Sequence, residues 1–363
     1  MLISIILILF LGSTLIQILT WTLLFPISLQ TKAIQRQSEA FIPSVSVVIC
    51  AKNEWSNIQE NLPQILAQQY PNFEVILIDD HSDENLEILM KPWISKWEQL
   101  KVCRNRNAPG KKGALQTGLD LAKNEIIILT DADCCPASMN WIAWMVSAFN
   151  NSTSIVIGYS PFERESGWLN AFIRYESTIN MLQYTSLCSI GFPYMGVGRN
   201  LAYRKSILTS GILNRNKDLL WGDDDLMVNI LANSHTTSVM LHPASHVKTK
   251  AENNLLTFFH QKRRHVSTSW RYRASHKIIL GSFALSMWFH MVLVIPVLLA
   301  GFVLLPVLLY FIRFGICLHV VKKLLSGSVH TDLLPKLIVL ELILSVYYPI
   351  VAFMLLKKKP EYW

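Results

Sequence analysis

Two long stretches without a single charged residue constrain this chain more than any other feature. Met1 to Thr31 carries no Asp, Glu, Lys or Arg, and most of its positions are Leu, Ile, Phe or Trp. Ile278 to Ile312 is a second charge-free run, interrupted by Pro296, Gly301 and Pro306. About 20 apolar residues suffice to cross a bilayer, so residues 3–25 are long enough. A cleaved signal peptide is the rival reading. The absent basic n-region, the length of the run and the lack of a small-x-small cleavage site weigh against it. A single helix over the second run would reach about 52 Å, too much for a hydrocarbon core of about 30 Å, which favours two spans joined near 300–306. Residues 333–356 offer a further span, and the charge pattern leaves two or three C-terminal spans open.

Composition agrees: the 363 residues are 51% hydrophobic and only 16% charged, against about 25% in a typical soluble domain. Disordered, collagen-like and ordinary soluble chains are excluded, and the length suits about two domains. The net charge of +8 invites a nucleic-acid reading, but its distribution argues otherwise. Residues 41–247 hold 16 basic and 20 acidic side chains, whereas residues 248–277 hold eight basic and one acidic. The excess therefore sits beside the apolar segments, as expected for membrane contact, and nucleic acid is not among the expected partners. Lys32 and Arg36 follow the first span, so the positive-inside rule places the polar body in the cytoplasm. The six cysteines show no CxxC or Cys/His metal spacing, which fits a reduced compartment.

Between the apolar regions the pattern alternates strand and helix. Strands are expected at Val45–Cys50, Glu74–Ile78, Lys101–Arg104 and Glu125–Thr130, with helices over Ser56–Gln69, Leu86–Trp97 and Gly113–Ala122. Such alternation implies a largely parallel sheet, and ligands bind off the carboxyl ends of its strands. Two acidic pairs fall there: Asp79-Asp80 and Asp131-Ala132-Asp133.

Two carboxylates at the Asp131/Asp133 spacing suit one hard divalent ion, whose remaining ligands are substrate phosphates and water. A solvated turn is the plain alternative. Asp79-Asp80-His81-Ser82 reads equally as an Asx-type turn. Gly110-Lys111-Lys112-Gly113 reads as a loop before a helix or as a phosphate contact. Trp221-Gly222-Asp223-Asp224-Asp225 crowds three repelling carboxylates beside an aromatic, which suits a general base next to a sugar-stacking platform. Gly196-Val197-Gly198 lacks the third glycine and the strand context of a dinucleotide fingerprint, so that reading is rejected. Gln261–His265 lies on a basic helical stretch that suits lipid headgroups or the charge of a diphosphate leaving group. Trp168 and the 170–187 segment are candidate acceptor or membrane-surface contacts. Phe172, Tyr175, Ile179 and Leu182 within that segment read equally as core.

In order, Val45–Glu54 (VSVVICAKNE), Tyr70–Ser82 (YPNFEVILIDDHS), Gly110–Gln116 (GKKGALQ), Thr130–Asp133, Gly222–Leu226 and Gln261-x-x-Arg264 resemble the family 2 glycosyltransferases. The likeness spans roughly residues 43–275, and the flanking apolar runs resemble the membrane-anchored members, near the ceramide-glucosyltransferase-like and bacterial polysaccharide branches. The resemblance implies an α/β GT-A fold, a mostly parallel central sheet flanked by helices. It implies one N-terminal and two or three C-terminal transmembrane helices. Three regions follow: 1–30 as the first membrane helix, 43–275 as a cytoplasmic catalytic domain, and 278–356 as the second membrane region. It implies inverting, metal-dependent transfer from a nucleotide sugar, with a UDP-sugar as the default donor, to a lipid, lipid-linked or polysaccharide acceptor. By position, Ala51, Glu54, Asp79, Asp80 and Lys111 would meet the nucleotide. Asp131 and Asp133 would hold the diphosphate and a Mg²⁺ or Mn²⁺ ion. Asp223 matches the catalytic base, with Asp224 next if the match slips by one. Trp221, Gln261, Arg264 and His265 would face the diphosphate and acceptor. His265 stands where the family motif carries tryptophan, and Gly222 where an acidic residue is usual. A nucleotidyltransferase of similar architecture and a non-catalytic membrane scaffold are the alternatives. The first would need a glycine-rich loop after the first strand, and the second sits poorly with acids intact at three sites.

Overall fold

The computed structural model describes residues 1–26, 42–208, 222, 224–325 and 330–355. The described residues form two compact units: one from those within 1–26, 164–186 and 252–355, the other from those within 42–163 and 187–251. The stretch 43–275 thus contributes to both.

The second unit is built on a seven-stranded sheet. Its strands are β1 (Val45–Ala51), β2 (Phe73–Asp79), β3 (Leu100–Arg104), β4 (Ile126–Asp131), β6 (Ile155–Ile157), β7 (Leu201–Arg204) and β8 (Thr237–Val239). The order is β3-β2-β1-β4-β7-β6-β8, while β5 (Cys134–Pro136) and β9 (Val247–Thr249) pair as a separate ribbon. β3, β2, β1 and β4 run parallel, and β7 is antiparallel to both β4 and β6. Strands buried on both faces need continuous apolar runs, which Val47–Ile49 and Ile126–Leu129 supply. Val45, Val47 and Ile49 pack with Ile58, Leu62 and Ile65 of helix Trp55–Leu66. On the opposite face Gly118 of helix Lys111–Leu121 lies so close that an added Cβ would stand 2.4 Å from Val48 Cγ1.

The expected helix over 86–97 is two helices, Leu86–Leu89 and Lys91–Lys96. Pro92 has no N–H to continue the first ladder, so the chain restarts there. The chain passes from β1 outward to β2 and β3, then returns to β4 on the other side of β1. That reversal opens a crevice at the carboxyl ends of β1 and β4, where Cys50 is paired with Asp131.

The first unit holds four helices that are long and apolar enough to cross a membrane: Leu2–Leu24, Ala274–Leu299, Leu304–Leu325 and Thr331–Met354. Among the described residues, three of these helices are C-terminal. The 278–312 run breaks at 300–303, with Gly301 at φ +90°. Pro306 falls in the first turn of the next helix, where a missing N–H costs nothing. Arg313, the first charge after the 278–312 run, lies inside helix Leu304–Leu325. It is buried and paired with Glu341, and it donates to Gln17 Oε1 at 2.9 Å. Helix Trp168–Ser189 begins in this unit, and Phe172, Tyr175, Ile179 and Leu182 are all core, whereas Trp168 is exposed.

Candidate active site

The crevice at the β1/β4 switch is lined by Val48, Cys50, Lys111, Leu115, Leu129, Thr130, Asp131, Gly198 and Asp224. Three of the residues singled out in the sequence, Lys111, Asp131 and Asp224, meet there. Each arrives from a different element, and each has a local reason to be in place.

Asp80 fixes the first. Its carboxylate is buried and accepts the Gly110 N–H at 3.0 and 2.9 Å and Asn105 Nδ2 at 2.8 Å. Gly110 sits at φ +115°, a conformation that favours glycine, and helix Lys111–Leu121 starts on the next residue. The Lys111 ammonium then reaches Asp131 Oδ1 at 2.9 Å, with both side chains less than a third exposed. Asp79, also buried, accepts the Ser82 N–H at 2.9 Å, and Asp80 N–H donates to Ala51 O at 2.8 Å. Thus Ala51, Asp79 and Asp80 form one strand-end turn in which the carboxylates already serve backbone groups.

Asp131, Asp133 and the Cys134 thiol offer ligand atoms within 4.8 Å of one another. Asp133 is exposed; its Oδ2 accepts from Thr249 Oγ1 at 2.9 Å, and its Oδ1 accepts the Cys134 thiol at 3.3 Å. Burial pushes the Cys134 thiol well above its ordinary pKa; Asp133 and Asp131 add to this, and the Arg199 guanidinium opposes them. Cys134 thus stays protonated, and the two carboxylates form a hard oxygen set that fits Mg²⁺ or Mn²⁺. Glu54, at the start of helix Trp55–Leu66, is raised by partial burial and by the charges of Asp133 and Asp131, while its hydrogen bond from Asn57 opposes this. It therefore belongs to the same electrostatic neighbourhood.

Asp224 caps helix Asp225–Leu231. Its Oδ1 accepts the Asp225 N–H at 2.8 Å, and its Oδ2 accepts the Gly198 N–H at 2.9 Å. Trp221 and Asp223 lie outside the described residues. Gln261, Arg264 and His265 lie on helix Leu255–Ser267 of the other unit, where Gln261 Nε2 approaches Glu252 Oε1 at 3.5 Å. Three supporting residues were given no role in this site from the sequence: Thr249 on Asp133, Gly198 on Asp224 and Asn105 on Asp80. Only Gly198 carried a visible signal, a Gly-x-Gly pair that belongs to no dinucleotide motif. Its use is close approach, since a Cβ at Gly198 would stand 3.0 Å from Asp224.

This combination defines a GT-A nucleotide-diphospho-sugar transferase fold: a mostly parallel sheet with acids at its switch point and an antiparallel strand beyond them. Residues 46–208 match the model of Glycosyl transferase family 2. A mannosyltransferase from Pyrobaculum calidifontis, solved with GDP-Man and Mn²⁺, is similar over 96% of this chain and 99% of its own. Its TM-score is 0.55 at 17% identity, a likeness of fold. The glycosyltransferase AglE of Haloferax volcanii is 28% identical over 149 residues, 40% of this chain and 48% of that protein. The beta-monoglucosyldiacylglycerol synthase of Trichormus variabilis is 34% identical over 108 residues, 29% of this chain and 23% of that protein. The chain thus spans half or less of the length of these curated relatives.

Proposed function

We propose that this protein transfers a sugar, with inversion, from a nucleotide sugar to a lipid, lipid-linked or glycan acceptor at a membrane. The observation that carries the reading is the convergence of Lys111, Asp131 and Asp224 in one crevice, with Asp133 alongside. The donor is a UDP-sugar in the family default, with GDP-mannose the second candidate. The relative that acts on diacylglycerol supports a lipid acceptor. Residues 43–275 supply the catalytic region, with residues 1–30 and 278–356 in the membrane. Lys32 and Arg36 after the first span favour a cytoplasmic face.

Asp223, by its place before Leu226, takes the proton of the acceptor hydroxyl. The oxygen attacks the anomeric carbon in line, the bond to the diphosphate oxygen breaks, and the nucleoside diphosphate leaves with its electron pair. Asp224 orients the neighbouring turn through Gly198 and Asp225. Ala51, Glu54, Asp79 and Asp80 shape the nucleoside end, and Lys111 holds Asp131 in place. Asp133 and Asp131 would hold a divalent ion, which supplies positive charge at the diphosphate. Motif position gives Gln261 and Arg264 the same anionic group, with His265 and Trp221 toward the acceptor.

Release of nucleoside diphosphate from UDP-glucose, UDP-galactose, UDP-N-acetylglucosamine and GDP-mannose tests this, with and without Mn²⁺ or Mg²⁺. Metal-dependent release from at least one donor is expected. No release from any donor contradicts the reading and favours a scaffold.

A further inference from the structure

Gly198-Arg199-Asn200 leads into β7, and both residues flanking Arg199 are fixed. Gly198 is held by Asp224, as described above. Asn200 is fully buried: its Nδ2 donates to Tyr159 O and Ser245 O, both at 2.8 Å, and its Oδ1 accepts from Trp141 Nε1 at 3.0 Å. The backbone that presents Arg199 is therefore preorganised, though neither neighbour needs an arginine between them.

Two independent observations place Arg199 near the acidic pair. First, the β4–β7 register sets Leu201 opposite Leu129, two residues before Asp131. Second, the Arg199 guanidinium lies 4.7 Å from the centre of the Phe162 ring, and Phe162 is bridged to Thr249, the residue that holds Asp133. Stacking on a ring fixes the guanidinium plane and leaves its edge donors directed outward. Among the described residues no carboxylate forms an ion pair with Arg199, whereas the Lys111 charge is already spent on Asp131. A fixed cation beside the crevice, with no acidic partner among the described residues, suits an anion brought by the substrate.

We propose that Arg199 receives a phosphate oxygen of a substrate through its guanidinium edge. This rests on the sugar-transfer reading above and adds a residue that lies outside the family motifs named for this chain. The phosphate belongs either to the donor diphosphate or to a lipid-phosphate acceptor, and the two sources separate in one experiment.

The full chain in detergent micelles, with the nucleotide sugar that the wild type turns over, is compared with Arg199→Gln and Arg199→Lys. Arg199→Gln is expected to lower kcat/KM at least about tenfold, and Arg199→Lys to recover part of it, since lysine keeps charge but not the planar fork. If the donor is the source, the loss appears in acceptor-free hydrolysis and in weaker binding of the Mn²⁺ nucleoside diphosphate. If the acceptor is the source, hydrolysis stays at the wild-type rate and KM for a polyprenyl phosphate rises, while transfer to dioleoylglycerol is unchanged. Either pattern supports the proposal. A Gln variant matching the wild type in all these assays overturns it, as does a lower Tm with unchanged KM values, the mark of packing on Phe162 alone. Should Arg199→Gln not fold, the Lys variant carries the same test. A wild type that releases no nucleoside diphosphate overturns the underlying reading as well, so the two failures are distinct.

Discussion

Asp80 and Asp131 both stand at the carboxyl end of a parallel strand, yet their surroundings give them different tasks. Asp80 is buried and accepts from two donors, Asn105 Nδ2 and the Gly110 N–H shared between its two oxygens, so its carboxylate builds the Gly110 turn from which Lys111 is launched. Asp80→Asn replaces a double acceptor with a side chain that offers one oxygen. A loss of about 1–3 kcal/mol is expected, read as a lower Tm. Gly198→Ala tests the other end of the crevice. The new Cβ would stand 3.0 Å from the Asp224 side chain, which must shift. The shift required is a few tenths of an ångström, and since about 1 Å of misplacement costs about 10²-fold in rate, a fall of less than about 10²-fold in kcat/KM at nearly unchanged Tm is expected from kinetics beside a melting curve. The residues that bear charge were legible in the sequence because acids at strand ends are visible once the strands are placed. Thr249 and Asn105 were not: a hydroxyl or amide that orients a carboxylate 116 or 25 residues away leaves no local pattern.

At the scale of elements, helix Trp168–Ser189 shows what periodicity conveys and what it omits. Its apolar positions read as core, and they are. Its three consecutive polar residues are just as buried, and successive positions turn about 100° around a helix, so each faces a different neighbour. Arg174 donates to Asp332 Oδ1 and Oδ2 at 2.9 and 2.7 Å, Tyr175 donates to Glu341, and Glu176 accepts from Lys262 at 2.6 Å. Tyr347 adds a further donor to Glu176 at 3.1 Å. Lys262 thus ties the basic helix Leu255–Ser267 to this element. Lys262→Met strands the buried Glu176 carboxylate and is expected to cost about 3–5 kcal/mol. Glu176→Gln added to it should restore much of the loss, because a neutral pair needs no compensation. Thermal unfolding of the single and double variants checks both.

At the scale of the whole molecule, the charge distribution carried more than the net charge. The mildly acidic body and the basic stretch before Ala274 were visible in the sequence, whereas the Arg313–Glu341 pair was not. A charge inside an apolar run reads as the end of a span until its partner, here on another helix, is known. With Gln17 of the first helix also bonded to Arg313 and to Ser286 of helix Ala274–Leu299, all four of these apolar helices share one polar cluster. Glu341→Ala leaves that cation buried and is expected to reduce the yield of folded, detergent-extractable protein. Arg313→Leu combined with Glu341→Leu should recover it, as size-exclusion profiles will show.

The central claim is that acids at the β1/β4 switch and at Asp223–Asp224 perform glycosyl transfer. The most direct measurement is metal-dependent nucleoside diphosphate release by the wild type, Asp223→Asn and Asp224→Asn, each beside its nucleotide affinity. The account predicts that Asp223→Asn keeps nucleotide binding and loses about 10²-fold or more of the turnover, the usual contribution of a positioned base. Wild-type turnover in Asp223→Asn with a hundredfold loss in Asp224→Asn would move the base by one residue. Wild-type turnover in both variants would contradict the account.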